Sequence, residues 1–362
     1  MTGSTDTVTR STEEQPAQLE HLLDWGDDSA ASLMRSLLQE LLAVVDPEAA
    51  ISSASRIKKG VHRLRFGVGT TTRSIIVKRL DPDVARRNQA VITRWLPAVG
   101  MQDAGPTLLG TVAEPPGRLV WHIYEDLGEV SLNTVSTQPG HVERGVAVVA
   151  TLHMRFAGHP LLGECRLWGG DLGMPFYHSN VVDAMRALEA VKPQSVELRP
   201  EHLAARDSLL TTLEEMLAVE DHHRVLQAQH GGAETLLHGD LWHQNLMVVP
   251  NQDGSPEARL IDWDHAGVGQ VGYDLSTFLG RFAPHQRRAV LDLYRAEVAA
   301  AGWRLPGDHV LKQLFDIAER SRIANRVIWP ALEIRFGDDV DWGLGQLIEL
   351  CRWFDRLEPV LP

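Results

Sequence analysis

The sequence predicts an α+β protein of two lobes, a small β-rich one followed by a larger, mostly helical one, and three observations carry that expectation. Between residues 50 and 130, short apolar runs alternate with Gly and Pro punctuation, the mark of strands joined by turns. Beyond residue 130, apolar residues recur at the three- and four-residue spacing of amphipathic helices. One hairpin-like stretch, residues 236–265, interrupts that helical pattern and gathers polar side chains at the ends of two short strands.

Taken in order, residues 1–14 are polar and rich in Ser and Thr, and are expected to form a disordered tail. Residues 15–49 are expected to be helical. Leu19, Leu22 and Leu23, then Leu33, Leu37, Leu38, Leu41 and Leu42 recur at helical spacing, with a break near Gly26-Asp27-Asp28. The β-rich lobe spans 50–128. There Ser55–Lys59 and Val61–Phe66 flank Gly60, and Ser74–Arg79 is a half-buried strand carrying Lys78. A helix follows from Val84 to Leu96, then strands at Thr107–Val112 and Arg118–Tyr124, giving the order β-β-β-α-β-β. The helical lobe spans 129–362, with helices at Glu143–Phe156 and through 180–228, 286–300, 309–329 and 340–357. The sequence contains no internal repeat, low-complexity tract or heptad pattern.

The stretch 236–265 carries the chemistry. Leu236-Leu237 leads into His238-Gly239-Asp240, and Asn245 follows. An apolar run, Leu246–Val249, and a turn at Asn251, Asp253 and Gly254 come next, after which Arg259-Leu260-Ile261 delivers Asp262. Phosphoryl transfer to a hydroxyl needs a carboxylate to orient and deprotonate the attacking group. It also needs an amide and a second carboxylate to hold magnesium on the phosphates. The His-x-Asp-x-x-x-x-Asn spacing is that of the protein-kinase catalytic loop, with the magnesium Asp on a later strand. A second reading takes His238, Asp240 and His243 as three metal donors, although no His-Glu-x-x-His or Cys cluster accompanies them.

HGDLWHQNLM followed by LIDWDHAGVGQVGYDLSTFL resembles the aminoglycoside phosphotransferase family and its choline-kinase-like relatives. These share the protein-kinase-like bilobal fold and phosphorylate small molecules. The resemblance implies Asp240 as catalytic base, Asn245 and Asp262 as magnesium ligands, and His238 as a structural member of the loop. Asp274-Leu275 opens the next helix, and His153, in Ala-Thr-Leu-His, takes a packing role. ATP or GTP with magnesium is the implied donor. Lys78 would neutralise the α- and β-phosphates from its strand; a solvated edge-strand lysine is the plainer reading. Gly60 would approach the phosphates, although KKGVHRLRF lacks a G-x-G-x-x-G loop. Tyr124-Glu125-Asp126-Leu127-Gly128 resembles the family's hinge, where the main chain of Ile123, Tyr124, Glu125 and Asp126 would bind adenine. One departure stands out. Kinases pair the strand lysine with a helix Glu, and DVARRNQAVITRWL has none, with Asn88 or Gln89 in its place.

Composition sets the outer bounds. A chain of 362 residues is long enough for two cores, and 44% hydrophobic with 23% charged residues is ordinary for a globular protein. No apolar run approaches the roughly 18 residues of a membrane span, and the N-terminus lacks the apolar centre of a secretory signal. Two distant cysteines, Cys165 and Cys351, suit a reducing compartment, so the cytoplasm is the expected location. The net charge of −13 disfavours nucleic acid and anionic membranes as partners. Residues 281–362 hold 12 acidic and 12 basic side chains, so the acidic excess is no device of the distal lobe for a polycation.

The expected partner is a hydroxyl-bearing small molecule, taken by a monomer or homodimer. The expected acceptor is an antibiotic, an aminoglycoside or another sugar- or nucleoside-bearing drug. The alternative is a metabolic kinase for a sugar, amino alcohol or choline-like compound. A third reading is a nucleotide-binding pseudokinase, which the missing helix Glu favours and the intact Asp240, Asn245 and Asp262 oppose. Trp168, Trp303, Trp329, Trp342 and Trp353 are expected mainly in the core. Asp338-Asp339-Val340-Asp341 reads first as a helix N-terminus and second as an amine-binding cluster.

Overall fold

The computed structural model describes residues 28–361 apart from 48, 116, 136–137, 139, 193–197 and 252. The tail expected at 1–14 and the first N-terminal helix lie outside the described residues. The chain divides into two compact units, with the boundary between Gly128 and Glu129.

The first unit opens with helix α1 (Asp28–Val45). Strands β1 (Ile51–Lys58), β2 (Val61–Val68) and β3 (Thr71–Leu80) follow, and β4 (Leu108–Ala113) and β5 (Val120–Glu125) complete an antiparallel sheet of order β1-β2-β3-β5-β4. Side chains alternate between the two faces of a strand. The register Leu64↔Ile75 and Val77↔Ile123 therefore lines up one apolar face. Phe66 and Trp121 belong to the same face, and Met34, Leu38 and Leu42, four residues apart on α1, cover it. Full burial of each such side chain stabilises by roughly 1.5–3 kcal/mol. The opposite face is unlike it: Lys78 pairs with Val61 on one side and His122 on the other, and Lys78 and His122 are both buried. Helix α2 (Pro82–Ala90) begins two residues before the expected start, because Asp81 is extended and Pro82 sits at the first helical positions. It continues through a π-turn, Val91–Trp95, that periodicity does not announce.

The second unit is mostly helical. Its helices are α3 (Leu132–Val135), α4 (His141–Phe156), α5 (Leu162–Gly169), α6 (Met174–Ala190), α7 (Pro200–Ala218) and α8 (Glu220–His230). After the strands come α9 (Gly272–Gly280), α10 (Pro284–Ala300), α11 (Asp308–Phe336) and α12 (Val340–Asp355). Leu188, Leu213, Val327, Ile334 and Leu347 share one core cluster that joins α6, α7, α11 and α12.

The stretch read as one hairpin is two nested ladders. Strand β7 (Leu246–Pro250) pairs with β8 (Pro256–Leu260), and β6 (Glu234–Leu237) pairs with β9 (Gly267–Gln270). Both ladders are antiparallel. The loop leaving β6 and the loop returning to β9 are therefore bounded by paired residues at each end, Leu237↔Gly267 and Leu246↔Leu260. Residues 238–245 and 261–266 are held side by side.

The tryptophans depart from expectation. Trp329 is 62% exposed, Trp342 47%, Trp168 41% and Trp353 36%, and Trp303 is half-buried; the core takes Trp95, Trp121 and Trp263 instead. On α11 the buried positions include Val327 and Ala331. Trp329 lies two residues from each, about 200° around a helix of 3.6 residues per turn. Asp339 caps α12, its side chain accepting the Trp342 N–H at 3.0 Å, as the helix-terminus reading expects. Both cysteines are free thiols. Among the described residues no helix is long and apolar enough to cross a membrane.

Candidate active site

The loop after β6 is held from beneath by one carboxylate. Asp274, in the first turn of α9, is completely buried. Its Oδ2 accepts the His238 N–H at 2.7 Å and its Oδ1 accepts the Gly239 N–H at 2.9 Å. His153 of α4 reaches Oδ2 at 3.3 Å through Nε2, and Tyr294 bonds His153 Nδ1 at 2.9 Å. With the tyrosine hydroxyl donating to Nδ1, the ring donates through Nε2 to the carboxylate. Burial opposes the Asp274 charge, but the His153 contact and the loop amides outweigh it and hold the carboxyl below its ordinary range. Without Asp274 the two shielded N–H groups would each cost about 1–3 kcal/mol.

His238 ties the two loops together. Its Nε2 donates to the Ile261 carbonyl at 2.8 Å, its Nδ1 accepts the Asp240 N–H at 3.3 Å, and its ring lies 4.7 Å from that of Trp263. Gly239 is required between them. Its φ is +80°, and a Cβ there would overlap the carbonyl oxygen of His265.

Asp240 and Asn245 are brought together. The Asn245 amide nitrogen donates to the Asp240 carbonyl at 2.9 Å and reaches the carboxylate at 3.5 Å. The Asn245 carbonyl accepts the Ile261 N–H at 2.9 Å, which fixes the residue before Asp262. Asp262 adopts φ 66°, ψ 58°, the one non-glycine with positive φ among the described residues. That conformation costs an L-residue roughly 1–2 kcal/mol, and such strain gathers at functional sites.

The three-donor metal reading does not survive. Both ring nitrogens of His238 are engaged in the loop. His243 is buried against Phe278 and Phe282, with ring centroids at 5.5 and 4.1 Å. Burial first, with Arg281 adding and the Phe278 backbone opposing, pushes its pKa down to about 4. Among the described residues no three His, Cys, Asp or Glu side chains gather to hold a metal.

In the first unit, Lys78 is buried on β3 directly opposite His122 of β5. His122 bonds the Tyr124 hydroxyl at 2.7 Å through Nδ1, and burial, then Lys78, lowers its pKa to about 4. Gly60, with φ +72°, closes the β1–β2 turn and accepts the Arg79 N–H at 2.7 Å, which places the turn beside Lys78. Within the segment expected to act as the hinge, Ile123 and Tyr124 are buried, and Glu125 accepts the Thr107 hydroxyl at 2.6 Å. The Asp126 carboxylate takes Arg63 Nε at 2.5 Å, the Ser74 hydroxyl at 2.6 Å and the Gly128 N–H at 2.9 Å. Burial would raise that carboxyl, but Arg63 and the other donors bring it below its ordinary value. Asn88 is buried on α2 and donates to the Val84 carbonyl at 2.9 Å, while Gln89 is exposed.

A family model matches residues 53–306, that of the phosphotransferase enzyme family. The chain belongs to that family. It is the family expected from HGDLWHQNLM. It is 28% identical over 149 residues to the N-acetylmuramate/N-acetylglucosamine kinase of Caulobacter vibrioides, a match spanning 35% of this chain and 39% of that kinase. Among solved structures it is similar to the ethanolamine kinase of Plasmodium vivax, with TM-score 0.56 and 12% identity over 96% of this chain and 97% of that one. It is also similar to a spectinomycin phosphotransferase bound to ADP and spectinomycin, with TM-score 0.55 and 14% identity over 90% and 95%. A third is a GDP complex of aminoglycoside 2'-phosphotransferase-IIIa, with TM-score 0.56 and 16% identity over 88% and 97%. These likenesses show the protein-kinase-like α+β fold.

What sequence reasoning missed is the network under the loop. It placed Asp274 at a helix start and His153 in packing, without joining them. One signal was present: GYDLSTFLG carries a lone charge in an otherwise uncharged helix, and a charge buried there must find partners.

Proposed function

We propose that this enzyme transfers the terminal phosphoryl group of ATP, or of GTP, to a hydroxyl of a small molecule with magnesium as cofactor. The observation that carries the reading is the locked pair of Asp240 and Asn245 beside the strained Asp262 turn. Asp240 is partly exposed, so its carboxylate can receive the acceptor hydroxyl, orient it and take its proton as the new O–P bond forms. The nucleoside diphosphate leaves. Asn245 and Asp262 fit magnesium, which takes oxygen ligands. The Asn245 nitrogen is committed to Asp240, which presents its amide oxygen as the ligand atom. Magnesium held there supplies neutralisation of the charge on the transferred and departing phosphates. Lys78 neutralises nucleotide phosphates, Gly60 gives them backbone access, and the main chain of Ile123 to Asp126 takes the adenine.

For the acceptor, a sugar is favoured over a polycationic antibiotic. The sequence match lies with an amino-sugar kinase. Arg281 and Arg322 lie close enough to Asp240 to interact electrostatically with it, and they repel a cation. Two free thiols suit the cytoplasm as the place of action.

The test is magnesium-dependent consumption of ATP and GTP against sugars, amino sugars, amino alcohols and antibiotics, with Asp240→Asn as control. Turnover with one class, absent in the control, supports the proposal. Nucleotide binding without turnover on any acceptor points instead to a regulator. Absence of nucleotide binding removes the proposal altogether.

A further inference from the structure

A cavity of about 320 Å³ in the second unit borders the catalytic loop, within the size range of small-molecule sites. Trp242 forms part of its wall, two residues after Asp240, and its N–H is bonded to the Asp240 carbonyl at 2.9 Å. The chain is acidic overall, with a net charge of −13. The cavity is the opposite. Its lining brings five arginines against two glutamates, a surplus of three positive charges.

The arginines divide by what they bind. Arg287 is taken up by the carbonyls of Gly280, Phe282, Pro359 and Val360, and Arg322 by Glu319 and the Tyr273 carbonyl. Arg281, Arg326 and Arg356 are not salt-bridged to any carboxylate among the described residues. The Arg281 guanidinium lies 3.1 Å from the centroid of the Trp242 ring. Desolvation first, and the neighbouring Arg326 second, bring its pKa below the ordinary value. Glu319 and Asp240 offset part of this, but the lining keeps a surplus of positive charge, and like charges in surplus repel one another until an anion arrives.

Three polar atoms of the lining are shielded from solvent and find no hydrogen-bond partner among the described residues: Trp242 Nε1, Arg322 Nε and Thr277 Oγ1. Two are obligate donors and the third can donate. Native structures rarely leave such groups unmet, and a small adjustment around an acceptor-rich ligand satisfies donors. Trp353, also in the wall, offers an aromatic face for a sugar ring.

We propose that this cavity binds an anionic group on the acceptor itself, so that the enzyme phosphorylates a hydroxyl of a small molecule already carrying a carboxylate or a phosphate. The proposal rests on the phosphotransferase reading above and adds the substrate's charge to it. Arg326 and Arg356 are the specificity-determining residues, and Arg281, stacked on the catalytic loop, links the anion to the loop's position.

The test is calorimetric binding to the full chain of related probes with and without an anionic group. These are glucuronate against glucose, N-acetylmuramate against N-acetylglucosamine, and glucose 6-phosphate as the phosphate arm. The double variant Arg326→Gln/Arg356→Gln changes exposed side chains, and its melting temperature checks the fold. At least one anionic probe is expected to bind tenfold or more tightly than its neutral match, a factor of ten being about 1.4 kcal/mol. The double variant abolishes that preference, leaves ATP affinity unchanged, and raises KM for the anionic acceptor far more than it lowers kcat. Glucuronate preferred over glucose 6-phosphate assigns the site to carboxylates; the reverse assigns it to phosphates. The proposal is overturned if no anion is preferred, if the preference survives the double variant, or if ATP affinity falls in step with it. Asp240→Asn separates the two readings: it keeps the anion preference and loses transfer, and if it kept transfer the catalytic assignment would fail while the anion site stood.

Discussion

Replacing Asp274 with Asn removes the charge beneath the catalytic loop while keeping the side chain's shape. The amide retains one oxygen, so one of the His238 and Gly239 N–H groups keeps its acceptor while the other meets an NH2 group. A hydrogen bond to a charged group is worth about 1.5–3 kcal/mol, and breaking a buried ionic contact about 3–5 kcal/mol. Taking about 3 kcal/mol, and roughly 2–4 °C per kcal/mol for a unit of this size, the variant melts about 6–12 °C below wild type. Turnover falls as well, because Asp240 follows directly on the released amides; a misplacement of about 1 Å costs on the order of a hundredfold. Scanning calorimetry measures the first quantity, and kcat well below the variant's melting temperature measures the second. The pH dependence supplies a sharper check. The folded Asp274 carboxyl lies below its unfolded value of 3.8, so its stabilisation is complete above that range and is lost as the pH falls through the folded value. The gap between wild type and variant is therefore wide at neutral pH and closes in strong acid. A variant melting with wild type at pH 7, or a gap that does not close in acid, refutes the anchoring role.

Asp240→Asn is expected to lower kcat by about 10²–10⁴ with the melting temperature nearly unchanged, since general-base catalysis contributes that much and the side chain is partly exposed. Steady-state kinetics beside a thermal melt check it. Asp262→Ala and Asp262→Gly should both be inactive, but only glycine relieves the positive φ; the Gly variant is expected to be the more stable of the two by roughly 1 kcal/mol, measured in urea. His243, with a folded pKa of about 4 against 6.5 unfolded, makes stability rise with pH across that window. Between pH 7 and pH 5 it alone lowers stability by about 2 kcal/mol. His243→Leu should flatten that acid slope, and melting temperatures of both proteins across pH 4.5–7.5, on the order of the window set by that shift, decide it.

The segment proposed as catalytic stood out in the sequence because its polar side chains are compressed into a few residues. His238, Asp240 and Asn245 fall within one loop, and their spacing alone suggests the reaction. The strand that closes the motif was not legible, because Gly267 and Gly269 give β9 no strand propensity. Those glycines are there for packing: a Cβ at Gly267 would meet Leu172 Cγ at 2.9 Å, and one at Gly269 would meet Leu237 Cδ1 at 2.9 Å. The exposed tryptophans misled for a related reason. Composition counts an indole as core material, while only the phase of the helix says which side of it faces out.

The aspartates make the point most directly. Asp240, Asp262 and Asp274 are the same residue type within a short span of chain; the motif distinguishes their expected roles, but the letters do not say which of them is buried. Asp274 is enclosed and receives N–H groups from the loop and the His153 ring, so its charge serves architecture. Asp240 is partly exposed, and its backbone, rather than its carboxylate, carries the closest bonds to Trp242, Asn245 and His238. Its carboxylate is thereby left to the acceptor hydroxyl proposed above. Burial and the direction of donors, which for Asp274 depend on a residue more than a hundred positions away, His153, separate the structural carboxylate from the one proposed to do chemistry.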